Sequence, residues 1–203
     1  MTAADVSEDA ADTRVAADPA NRTTSLEELE RLLQDSQLKA LSVRYRGLAR
    51  LPESIRHATA LRRLDLTGNR LSSLQEDLRA LVHLKELYLD DNCLASLPEW
   101  LGKLASLDGL HADKNELTSL PKSIERLGNL KTLNLYGNKL TSIPTGLGRL
   151  TRLEELSLGS NDLTSLPEWL WRLTNLRLLN LAENRLSTIS EGIGNLANLH
   201  TLD

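Results

Sequence analysis

The sequence predicts an α/β solenoid, a curved array with a parallel β-sheet on its concave side and short helical or 3₁₀ segments on its convex side. Three observations predict it. Asn recurs at 69, 92, 115, 138, 161 and 184, a constant interval of 23 residues. Leu stands eight, five and three residues before each Asn and two after it, with Ala112 the one departure. Leu also supplies 48 of the 203 residues, while aromatics make up 3 % and Phe is absent. A compact core needs mixed side-chain shapes to fill irregular space, whereas one shape suffices when the same pocket recurs.

Taken in order, residues 1–24 are Ala, Asp, Thr, Glu and Ser with almost no large apolar side chain, which predicts a disordered N-terminal tail. Residues 25–36 predict a capping helix. Ser25-Leu-Glu-Glu28 reads as a capping box, and Leu26, Leu29, Leu32 and Leu33 share one stripe able to shield the open end of a core. Residues 37–203 are the repeat domain, seven repeats plus the start of an eighth. Its first copy runs Leu38-x-x-Leu41-x-Val43-x-x-Arg46-x-Leu48, with Arg46 in the Asn position. Alternating Leu at the fourth and sixth positions predicts a short strand with one buried face. Strands 23 residues apart must run parallel, with a return segment between them. The Asn amide, with both donors and acceptors, suits bare backbone groups where the chain leaves the strand, so stacked copies form a ladder. Pro98, Pro121, Pro144 and Pro167 then end the strand pattern, with Gln75 and Ser190 in the same position elsewhere. The last copy starts at Leu199 and stops at Asp203, in mid-strand. That stop predicts either further chain beyond it or self-association of this end.

The unit L-x-x-L-x-L-x-x-N-x-L-x-x-L-P, with Leu117-Thr-Ser-Leu-Pro121 and Leu163-Thr-Ser-Leu-Pro167, resembles the 23-residue form of the leucine-rich repeat family over residues 38–203. The resemblance implies a non-catalytic scaffold for protein–protein interaction, in intracellular signalling or as an effector. It also implies an alternative, the recognition half of a larger enzyme of kinase, GTPase or ubiquitin-ligase type whose catalytic part lies beyond residue 203. Surface adhesion is the third reading, disfavoured because the start lacks a signal sequence.

Composition narrows the function classes. A net charge of −4 and a pI near 5.6 supply no cation excess for nucleic acid. No apolar run reaches the roughly 18 residues needed to span a bilayer. An acidic start without a basic, then apolar, stretch predicts a cytoplasmic protein, or alternatively an effector secreted to act inside a host cell. One Cys excludes an internal disulfide framework. The four His fall in different repeat phases, so no catalytic residue, cofactor or metal is expected. Cys93 is expected as a small buried filler, and Trp100, Trp169 and Trp171 as a half-buried lid on the convex side.

The partner face is expected on the concave side. Side chains flanking the buried Leu of each strand align in columns about 4.8 Å apart. One column reads Ser42, Asp65, Tyr88, His111, Asn134, Ser157, Asn180; the next reads Arg44, Thr67, Asp90, Asp113, Tyr136, Gly159, Ala182. Asp65, Tyr88, Asp90, His111, Asp113, Asn134 and Tyr136 form one predicted patch, rimmed by Arg63 and Glu86. Tyr suits a hot spot, and the acids suit a protein partner with a basic segment. His111, placed between Asp90 and Asp113, predicts binding that strengthens below neutral pH.

Overall fold

The computed structural model describes residues 15–16 and 26–203. Among the described residues, nine parallel strands form one open sheet in chain order: β1 (Val15–Ala16), β2 (Ala40–Ser42), β3 (Arg63–Asp65), β4 (Glu86–Tyr88), β5 (Gly109–His111), β6 (Thr132–Asn134), β7 (Glu155–Ser157), β8 (Leu178–Asn180) and β9 (Thr201–Leu202). Between strands the chain returns through five-residue 3₁₀ segments, from Glu53–His57 to Glu191–Asn195. The result is a curved solenoid with the sheet on its concave side. The register is constant: Leu41, Leu64, Leu87, Leu110, Leu133, Leu156 and Leu179 pair in one row, each at most 1 % exposed. That row confirms the recurring pocket inferred from the Leu excess.

The Asn ladder forms. Asn138 Nδ2 donates to Ala112 O of the preceding repeat (2.9 Å) and to Leu135 O (3.0 Å), while its Oδ1 accepts from Leu117 N (3.0 Å). Asn92, Asn115, Asn161 and Asn184 repeat the pattern. Asn69 covers for Arg46 in the first copy by accepting from both Arg46 N and Leu48 N. The two departures from Pro are also occupied: Gln75 Oε1 accepts from Leu51 N (3.0 Å), and Ser190 Oγ caps Gly192 N (3.1 Å). Each of these side chains closes a bond to a backbone amide, which a Pro side chain cannot do.

The residue before each ladder position is left-handed, with φ between 49° at Lys114 and 70° at Gly68. Glycine is used most closely at Gly68, where the exposed Tyr45 ring lies against the Cα and would have to shift to admit a Cβ. Exposed Lys114 carries the steric cost of that conformation, of order 1 kcal/mol, without such a contact. Lys114→Gly is therefore expected to raise the unfolding free energy measured by urea titration by about 0.5 kcal/mol, after the extra chain entropy of glycine. A loss of about 1 kcal/mol would contradict this reading.

Two expected elements differ. The helix α1 spans Leu26–Leu32 rather than 25–36. It tightens at once into short turns, Gln34 N to Arg31 O and Asp35 N to Leu32 O, and Asp35 Oδ1 takes the Gln37 amide. A short side-chain acceptor competes with further helix there. Leu29 and Leu33 are buried as expected, but Leu26 is 58 % exposed. The tail expected over 1–24, and Ser25 of the capping box, lie outside the described residues except at Val15–Ala16. That dipeptide pairs with β2, Val15 to Ala40 and Ala16 to Leu41. Any extended dipeptide can satisfy a sheet edge through its backbone, which composition does not reveal.

On the convex side Trp171 is 2 % exposed and lies against Gly192, so it is a core residue rather than a lid. Trp100 and Trp169 are half-buried against the same core. Cys93 is exposed, not buried. It follows the ladder Asn in a position held elsewhere by Arg70, Glu116, Lys139, Asp162 and Arg185, which points outward between two buried side chains.

Candidate partner-binding face

The register brings the expected columns together: Asp65, Tyr88, His111 and Asn134 are consecutive partners across β3 to β6, as are Arg63 and Glu86. Within this frame the side chains build a stack. The Arg63 guanidinium lies 4.3 Å from the Tyr88 ring centroid, and its Nη1 donates to the Tyr88 hydroxyl (3.1 Å). On the other side of Tyr88 the His111 ring is parallel within 6° at 4.4 Å. Arg63 is thus a member of the stack and not its rim. Burial, then the neighbouring Glu86 carboxylate, hold the Tyr88 hydroxyl above its usual range, so it stays neutral.

His111 does not sit between Asp90 and Asp113 as an ion pair. Its Nε2 faces Glu86 Oε2 at 3.8 Å. Glu86 reaches it by leaning over Gly109, where a Cβ would collide with its carboxylate. The absent side chain at Gly109 is what opens this path. Asp90 and Asp113 instead face one another. Asp90 Oδ1 accepts from Asp113 N (3.0 Å), and its carboxyl is pushed up to about 7, first by burial and next by hydrogen bonding to the Asp113 carboxyl; the Asp113 amide and His111 oppose the rise.

The linkage follows directly. Between about pH 4 and pH 7 the folded chain holds a proton on Asp90 that the unfolded chain has released, so this group's contribution to stability falls as pH rises. Asn at 90 can keep both hydrogen bonds without that proton. Asp90→Asn is expected to unfold at slightly higher urea than the wild type at pH 5 and at clearly higher urea at pH 8, the gap widening with pH. Equal midpoints at pH 8 would contradict the shared-proton geometry.

Two expected contact residues are committed elsewhere. Asp65 is 4 % exposed; its carboxylate accepts from Thr67 N (3.1 Å) and approaches Arg44 Nε (3.7 Å). Asn134 Oδ1 accepts from Tyr136 N (3.1 Å). An Asp or Asn two residues before a chain turn is the signal for such a bond, and Asn180 repeats it with Ala182 N. Tyr136 spans two repeats, donating its hydroxyl to Glu183 (3.1 Å). The residues of the expected patch left to form a candidate face are Arg63, Glu86, Tyr88, Asp90, His111, Asp113 and Tyr136.

Comparison with known proteins agrees with the architecture. Family models described as leucine-rich repeat region, leucine rich repeat and leucine rich repeat match residues 72–169, 151–203 and 60–81. The chain belongs to the leucine-rich repeat family. A leucine-rich repeat protein of Leptospira interrogans superimposes with a TM-score of 0.82 at 35 % identity, covering 85 % of this chain and 44 % of that one. An internalin of Listeria monocytogenes gives a TM-score of 0.77 at 23 % identity, covering 86 % of this chain and 50 % of the internalin, a likeness of fold alone. The chain spans about half the length of either structure or less. No curated protein matches it.

Two hollows of this leucine-rich repeat array were not anticipated. A concave pocket of about 280 Å³ lies beyond His111, lined by Asn134, Glu155, Leu178 and Asn180 among others. Its signal was present in the column Arg63, Glu86, Gly109, Thr132, Glu155, Leu178, which carries the same 23-residue spacing. A larger groove of about 510 Å³ runs along the loops before the strands, lined by Lys131, Arg152, Glu154, Asn175, Arg177 and Asn198. Its carboxamides are tied to loop carbonyls, Asn175 to Thr151 O and Asn198 to Thr174 O, and Glu154 divides its cations. We regard the loop groove as structural. Among the described residues no three His, Cys, Asp or Glu converge as a metal site, and no helix is long and apolar enough to cross a membrane.

Proposed function

We propose that this chain is a non-catalytic recognition scaffold whose concave face docks a protein segment rich in basic side chains. The observation that carries the proposal is the Arg63–Tyr88–His111 stack flanked by the carboxylates of Glu86, Asp90 and Asp113. Flat, pre-ordered aromatic groups bind with little further loss of side-chain freedom, and surrounding acids select partners of opposite charge. The rigid ladder beneath keeps the backbone from moving. Because Asp90 gains its charge near pH 7, attraction to a basic segment grows as pH rises through neutrality, opposite to the expectation from His111. We further infer a signalling or effector role, for which a surface of many fixed side chains supplies selectivity.

The test is affinity capture with three forms of the chain: wild type, Asp90→Asn/Asp113→Asn, and the convex variant Lys103→Glu/Arg126→Glu. Proteins retained by the wild type and the convex variant but lost from the concave variant support the proposal. The same proteins retained on all three would overturn it.

A further inference from the structure

We propose that the concave pocket beyond His111 receives an arginine side chain of the partner, an inference that rests on the concave docking proposed above. His111 has one ring face covered by Tyr88. Tyr88 and His111 are register partners on β4 and β5, so the opposite face of the imidazole looks along the column toward β6 and into the pocket. Asn134, next in that column, turns its Oδ1 to the Tyr136 amide, and both it and His111 line the pocket. The chain already places a guanidinium at the far end of the same stack, Arg63 over Tyr88 at 4.3 Å. A second guanidinium on His111 would close the stack with a planar cation at both ends.

The walls fit that occupant. Glu155 lies on the pocket wall, and among the described residues no cation lies within ion-pair distance of it. Asp203 adds a second carboxylate at the same hollow. Leu178, the register partner of Glu155, offers an apolar wall for the methylene stem. A planar guanidinium can stack on the imidazole and donate to the carboxylate in one pose, because its N–H groups lie in the plane of the cation. An ammonium has no flat face to stack. A neutral aromatic would stack but leave the carboxylates unpaired, and an acid would be repelled.

The experiment selects random dodecapeptides displayed on phage against the 203-residue chain, then remakes the recovered peptides with each Arg changed to Lys. The expected result is one Arg→Lys change that weakens binding at least tenfold to the wild type and at most twofold to Glu155→Gln. Glu155 is exposed, so this variant keeps the fold. If Arg→Lys costs twofold or less while Asp113→Asn costs tenfold, the arginine pocket is overturned and concave docking stands. If neither Asp113→Asn nor Glu155→Gln weakens the peptides, both fall. Should no peptide be recovered, N-acetyl-arginine methylamide decides by NMR titration. A saturable shift of the His111 ring protons that disappears in Glu155→Gln supports the pocket, and no shift overturns it.

Discussion

Asn115→Ala and Asn138→Ala are each expected to lower the unfolding free energy by about 2–4 kcal/mol, the cost of leaving two or three buried backbone groups without partners. At Asn138 these are Ala112 O, Leu135 O and Leu117 N, and the side chain is 7 % exposed. Water cannot replace the amide there without opening the core. Asn184 makes equivalent bonds to Leu158 O, Leu181 O and Leu163 N, but in a partly exposed setting. Water can reach the freed groups, so Asn184→Ala should cost about half as much. Denaturant titrations of the three variants measure this directly. Equal losses at all three positions would contradict a ladder whose value depends on burial.

Trp171→Ala is expected to cost about 3–5 kcal/mol, as for other buried aromatic truncations. The indole fills the space that Gly192 vacates, where any side chain would collide with it. No neighbouring segment can collapse into the hole without moving a 3₁₀ turn. Among the described residues its buried Nε1 has no hydrogen-bond partner, nor has that of Trp169. Trp171→Phe removes this unpaired donor and keeps most of the apolar contact, so it should cost less than about 1.5 kcal/mol. An alanine variant within about 1 kcal/mol of wild type would show that Trp171 is a surface lid after all.

The repeat was legible because its causes are local and periodic. Leu64 and its equivalents, Asn69 and its equivalents, and the Pro residues each recur for one physical reason, and a fixed interval makes that reason visible. Columns on the concave face were legible for the same cause, since constant register turns spacing into adjacency. What side chains do within a column was not. Whether Asp65 faces a partner or its own Thr67 amide depends on a rotamer, and Glu86 reaches His111 only because Gly109 is empty. The pocket at Glu155 and Leu178 required reading a third column that also holds Arg63 and Glu86. The burial of Trp171 escaped the sequence because it depends on Gly192 in the following repeat, a single contact that the repeat pattern does not mark.

Recognition on the concave face is tested by the affinity of a captured partner for Tyr88→Ala/Tyr136→Ala beside the convex variant Lys103→Glu/Arg126→Glu. A Trp169/Trp171 pair does not serve as the convex control, because Trp171 is core and its loss would weaken the fold itself. Concave docking predicts at least a tenfold loss for the tyrosine pair, about 1.4 kcal/mol, and no more than twofold for the convex pair. Unchanged affinity in the tyrosine pair, with a tenfold loss in the convex pair, would contradict it.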